Sequence, residues 1–308
     1  MYCMEKLDSE AKLEQLLARP AEGLTEMMKR LDGDIIILGI AGKMGVSMGM
    51  QAVEAILLAG VDKKVYGVSR FSKPEERAKL EAGGIITIAC DLQDPAQVAK
   101  LPQVQNVIFM AGRKFGTEGS EALTWAMNVL APAYVAEHFR GSRIVAFSTG
   151  CVYPLRSVQQ GGCTEEVIPA PVGEYSQSCL GRERIFQYYS QKYGTKLLLF
   201  RLNYAIDLRY GVLHDIGRAI FTKQPEPLRV DATYRYRHDK SDLLRAFSAM
   251  AERSERRLPP PTSNFTGIVG AEPYPVTKKA AQVLKKLLLR GVEKFRNLFR
   301  GSHSRSEI

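Results

Sequence analysis

Residues 174–186 read EYSQSCLGRERIF, and on a helix the spacing of Tyr175, Cys179 and Arg182 or Glu183 sets a phenol, a thiol and a charged group along one face. A phenol, a thiol and a cation in one row could form a proton relay. A second stretch offers a different chemistry. GIAGKMG spaces Gly39, Gly42 and Gly45 as GxxGxxG, with Lys43 and Met44 inside the turn. The first glycine of such a turn permits a tight bend, the second lets backbone approach a pyrophosphate, and the third lets helix pack close to strand. The helix that follows points free N–H groups and a partial positive charge at the phosphates. This spacing predicts dinucleotide binding.

The elements that must position these residues follow from hydrophobic pattern. DIIILGI (34–40) is a short apolar run without alternation, as expected of a strand buried on both faces. A helical pattern runs from Lys43 to Ala59, and the cycle repeats: strand 64–69, helix 74–82, strand 85–90, helix near 94–101, strand 106–112. A long helix (118–139), strand 143–149, a second long helix (174–193) and strand 195–202 complete it. Strands alternating with helices predict an α/β, doubly wound parallel sheet of Rossmann-like type, with strand C-termini along one ligand-binding edge. Residues 1–33 read as a helical extension, with one leading helix over 5–31. A dinucleotide-binding domain follows over 34–203, then a small C-terminal substrate-binding domain over 204–300 and a tail over 301–308. A basic amphipathic helix is expected at 276–299.

The end of the second predicted strand bears on which dinucleotide is preferred. VYGVSRF presents Ser69 and Arg70 and no carboxylate. An acidic residue there serves the ribose hydroxyls of NAD, whereas a guanidinium favours a 2′-phosphate, and Lys43 supplies a second positive charge. NADP is therefore the expected cofactor in preference to NAD.

Composition narrows the remaining classes. The chain of 308 residues carries a net charge of +10, of which residues 1–224 hold only +2. The charge belongs to the C-terminal quarter, where RNA, an anionic substrate and a membrane surface are all conceivable partners, and a solvated basic face is the commoner reason for such a run. The expected partner is a small molecule rather than nucleic acid, without membrane insertion. Five scattered cysteines without a CxxC pair imply neither a zinc site nor a disulfide framework, and fit the cytoplasm.

Taken together these segments resemble the extended short-chain dehydrogenase/reductase family, the NAD-dependent epimerase/dehydratase group, over about residues 34–285. CDLQD (90–94) is similar to the family's acid–leucine pair, which implies that Asp91 and Leu92 flank the adenine. Met110, Ala111 and Gly112 resemble the segment lining the cofactor after the fourth strand. FSTGCVYP (147–154) resembles the strand end that carries the catalytic hydroxyl, here Thr149 with Ser148 beside it. Tyr175 matches the catalytic tyrosine and Glu183 the acid later in that helix. RLNYA (201–205) resembles a cofactor segment through Asn203. The resemblance implies a substrate that is a sugar or nucleotide-sugar, and a homodimer through the two long helices.

The same resemblance exposes a departure. Cys179 stands where the family has a lysine, whose cation lowers the tyrosine pKa from about 10 and binds the nicotinamide ribose. Three readings remain open. Arg182, one turn further, or Arg113 substitutes as cation; Cys179 is itself reactive; or the protein binds NADP as a catalytically impaired regulator or scaffold, its basic C-terminal quarter contacting a partner or nucleic acid.

Overall fold

The computed structural model describes residues 9–202 apart from 22, 115–117 and 157–161, together with 214 and 218. The expected C-terminal domain, the helix at 276–299 and Asn203 lie outside the described residues.

Six parallel strands form one sheet in the order β3-β2-β1-β4-β5-β6. They are β1 (Ile35–Leu38), β2 (Val65–Ser69), β3 (Ile86–Ala89), β4 (Asn106–Phe109), β5 (Arg143–Thr149) and β6 (Lys196–Leu202). The order runs outward from β1 in both directions, which is the doubly wound arrangement expected. Every residue of central β1 is buried. Its alternate side chains feed two cores, Ile36 and Leu38 on one face, Ile35 and Ile37 on the other. That is why the stretch shows no polar alternation.

The helices depart from the expected pattern in two places. The leading helix is two helices, α1 (Glu10–Ala18) and α2 (Leu24–Arg30). Pro20 cannot continue α1, and Gly23 enters α2 with φ 82°. The long helix after β4 is divided into α6 (Glu121–Trp125), a π-helical turn (Ala126–Leu130) and α7 (Ala131–His138). Pro132 has no N–H to give the Asn128 carbonyl, and the Ala131 N–H bonds back to Ala126 O, five residues earlier. The other helices are α3 (Lys43–Ala59), α4 (Pro74–Ala82), α5 (Pro95–Val98) and α8 (Glu174–Tyr193).

The residues divide into two compact units, one holding 1–154 and 169–205, the other 155–168 and 206–308. The sheet and all eight helices above belong to the first.

Candidate active site

The glycine turn is built as its spacing implies. Gly39 takes φ 93°, and the N–H groups of Gly39 and Ile40 both donate to Val68 O of β2, at 2.8 and 3.1 Å. A Cβ on Gly39 would lie 2.7 Å from Ala111 N, and one on Gly45 only 2.4 Å from Ile40 O. Side chains are thus excluded where the turn meets the end of β4 and where α3 meets the turn. Gly42 is the N-cap of α3 and brings no side chain to its first N–H groups. A bare helix N-terminus framed by glycines suits a pyrophosphate, so the residues present fit a dinucleotide. Lys43 is exposed and Met44 half-buried at the start of α3.

The other cofactor candidates surround this turn. Ser69 is half-buried and Arg70 exposed at the C-terminal end of β2, next to Val68. Asp91 is half-buried, its carboxylate accepting from the Gln93 N–H at 3.0 Å, and Leu92 is buried. Met110 follows β4 and donates its N–H to Leu38 O, with Ala111 and Gly112 beyond. The ends of β2, β3 and β4 therefore carry Ser69 and Arg70 and the residues that the family resemblance singled out.

A second group forms where α8 packs along β5 and the 3-10 turn Gly150–Val152. From α8, Cys179, Arg182, Glu183 and Phe186 all face inward and are buried. Thr149 is buried at the end of β5, and its Oγ1 accepts from the Cys151 N–H at 3.2 Å. Tyr175 is half-buried, and the Cys179 and Cys151 thiols are its titratable neighbours. Cys179, Arg182 and Glu183 thus share the buried face of α8 that their spacing predicts, and its neighbours come from β5.

Arg182 is a buried cation with neutral partners. Its Nη1 donates to Phe147 O at 2.9 Å and its Nη2 to Asn128 Oδ1 at 2.7 Å, while its guanidinium carbon lies 5.4 Å from the centre of the Phe109 ring. Its Nε has no hydrogen-bond partner. Such placement is costly unless an anion is near.

Glu183 has the opposite character. It is fully buried and accepts from Ser148 Oγ at 2.5 Å and from Arg201 Nε and Nη2 at 2.9 and 2.7 Å. Arg201 also donates to the Tyr153 hydroxyl at 2.8 Å. The β5–β6 register pairs Ser148 with Arg201, so both reach one carboxylate of α8. Ser148 is therefore committed to Glu183, and Thr149 is the hydroxyl left at the strand end. The hydrogen bonds that Arg201 donates to Glu183, and then to Tyr153, hold its guanidinium more firmly charged than usual.

Electrostatics at Tyr175 run against the expected direction. Burial pushes the phenol well above its ordinary range, Cys179 and Cys151 add to this, and Arg182 alone opposes it. Burial likewise raises Cys179, against the pull of Arg182 and of the Tyr175 hydrogen bond. Burial thus favours the thiol over the more nucleophilic thiolate at Cys179. Sequence reasoning missed Asn128 and Ser178. An asparagine four residues before Pro132 inside an apolar helical run was the only available signal, since their partners are 50 residues apart.

Among the described residues no group of His, Cys, Asp or Glu could hold a metal ion, and no helix is long and apolar enough to cross a membrane. A doubly wound sheet with a glycine turn at its central strand defines a dinucleotide-binding protein. The chain belongs to the NAD dependent epimerase/dehydratase family, whose model matches residues 35–206. Comparison with curated proteins finds no match. Among solved structures it is similar to DesIV, the dTDP-glucose 4,6-dehydratase of Streptomyces venezuelae with NAD and TYD bound, at 18% identity and a TM-score of 0.51 over 62% of each chain. It is also similar to the UDP-glucuronic acid 4-epimerase of Bacillus cereus in complex with NAD, at 17% identity and a TM-score of 0.50, covering 62% of this chain and 65% of that one. The chain thus spans less than two thirds of either relative. At this identity the likeness is one of fold.

Proposed function

We propose that this chain is an NAD(P)-dependent enzyme acting at a secondary alcohol or carbonyl of a sugar or nucleotide-sugar. Family membership and the inward face of α8 beside Thr149 support the reading. Bound at the glycine turn, NAD(P) supplies hydride chemistry. The chain's own part is to hold a substrate oxygen between the Thr149 hydroxyl and the Tyr175 phenol. Tyr175 exchanges the proton on that oxygen as general acid/base, and Thr149 orients it by hydrogen bonding. Arg182 stands in for the lysine electrostatically, since a guanidinium can lower a phenol pKa although it does not itself pass protons. Arg70, without a neighbouring carboxylate, favours NADP over NAD. Exposed Leu123, Leu130 and Tyr188 on α6, the π turn and α8 fit a homodimer through these helices.

A second reading rests on one observation, the upward displacement of the Tyr175 phenol by burial. On that reading the protein binds the cofactor as a regulator without turnover. Trp125 is the single tryptophan, and its indole N–H bonds Glu174, the residue before Tyr175. Titration of the full chain with NADPH and NADH, followed by Trp125 fluorescence, tests binding. Incubation with UDP- and dTDP-sugars then tests turnover. Turnover abolished in Tyr175→Phe supports the enzyme; binding without turnover, with activity gained in Cys179→Lys, supports the regulator. Absence of binding by either cofactor overturns both.

A further inference from the structure

Arg182 is 6% exposed, and its guanidinium sits toward the C-terminal ends of β4 and β5. Phe109, the last residue of β4, places its ring 5.4 Å from the guanidinium carbon, and Phe147 O of β5 accepts from Nη1 at 2.9 Å. That edge is where ligands bind in a doubly wound sheet. Nη2 bonds the Asn128 amide oxygen and lies against Gly112, where a Cβ would approach it to 2.3 Å. Gly112 follows Ala111, whose backbone N would lie 2.7 Å from a Cβ on Gly39 of the glycine turn. The cation therefore packs on the residue next to the one that meets the glycine turn.

What the described residues do not give this cation is an anion. Its partners are a backbone carbonyl, an amide oxygen and a ring, and its buried Nε has none. Glu183, its neighbour on the inward face of α8, commits both carboxylate oxygens to Arg201. Arg182, Glu183 and Arg201 together thus carry one positive charge in excess. A guanidinium does not shed its charge to escape burial, as an amine can. A buried charge without a counter-charge weakens a fold, and an orphaned buried donor calls for a partner that completes it.

We propose that the missing counter-charge is the cofactor's diphosphate, and that Arg182 is a cofactor-binding residue acting on that anion across the 110–112 segment. The inference rests on the reading of the glycine turn as a dinucleotide site. Without cofactor the guanidinium is a liability to the fold. With a diphosphate at the turn, the two charges attract through a medium of low effective dielectric, which offsets the cost of burying the cation. The role is separate from the proton step, since it concerns cofactor affinity alone.

The test compares the full-length parent with three variants. Arg182→Gln keeps an amide donor without the charge, Arg182→Met keeps neither, and Arg182→Lys keeps the charge. Urea unfolding without cofactor should place the midpoints of Arg182→Gln and Arg182→Met at or above that of the parent. Titration followed by Trp125 fluorescence should show NADPH binding weakened about tenfold or more in both, and by less than about threefold in Arg182→Lys. ADP-ribose, which has the diphosphate but no nicotinamide, should lose affinity by the same factor. A purely structural arginine would give the reverse: neutral variants that unfold more readily without cofactor, or affinity lost equally in Arg182→Lys. Either result overturns the proposal, as does unchanged affinity of the neutral variants for NADPH or ADP-ribose. Neutral variants that fail to fold without cofactor overturn it too, because the guanidinium would then be needed where no anion is present. If the parent binds neither NADPH nor NADH, the proposed function falls together with this role. If the parent binds and the neutral variants match it, only the role of Arg182 falls.

Discussion

The Glu183 carboxylate and the Arg201 guanidinium form a bidentate pair at 2.7 and 2.9 Å, with Glu183 fully buried and the Arg201 side chain 18% exposed. The pair joins α8 to β6, and Ser148 extends it to β5. It fixes the strand end that carries Thr149 against the helix that carries Tyr175. Its value is positional as well as energetic.

Removing one partner leaves the other buried and uncompensated. Arg201→Met is expected to destabilise the protein by roughly 3–5 kcal/mol in urea unfolding, whereas Arg201→Lys, which keeps the charge but not the fork, should cost less. A loss under about 1 kcal/mol for Arg201→Met would show that the pair contributes no more than an exposed one.

Gly39→Ala should abolish binding at the glycine turn. The left-handed φ and the 2.7 Å approach to Ala111 N leave a Cβ no relief, since the opposing atom is backbone. A loss of stability of ~2 kcal/mol or more is expected, together with loss of NADPH quenching of Trp125. Unchanged quenching would place the phosphates elsewhere.

Arg70→Asp is expected to shift cofactor preference from NADPH toward NADH by tenfold or more, because a carboxylate replaces the guanidinium offered to a 2′-phosphate. The ratio of the two dissociation constants from fluorescence titration checks this. An unchanged ratio would remove Arg70 from the cofactor site.

Alkaline pH should destabilise the fold. Burial pushes the Cys90 thiol up to about 11 from an ordinary 9.0, so the native state holds its proton where the unfolded state has lost it. Stability is then full below about pH 9 and falls as pH rises toward about 11, by on the order of 2 kcal/mol from this thiol. Tyr175 and Cys179 are raised by burial as well and act in the same direction. Urea midpoints measured from pH 7 to 10.5 should decline less steeply in Cys90→Ala.

Local pattern determined much of this protein. The apolar run of β1, the GxxGxxG turn and the inward face of Tyr175, Cys179, Arg182 and Glu183 were legible because each depends on spacing within one strand, one turn or one helix. Residues 5–31 and 118–139 each read as one regular helix, but Pro20 and Pro132 act on hydrogen bonds that periodicity does not record, and each stretch is divided. What only the tertiary structure decided is partnership. Ser148 and Glu183 are 35 residues apart, and Asn128 and Arg182 are 54 apart. Sequence spacing has no term for contacts made by the β5–β6 register and by the packing of α8 on the sheet. That packing turned Ser148 toward Glu183, set Arg182 among neutral acceptors, and left the Tyr175 phenol half-buried.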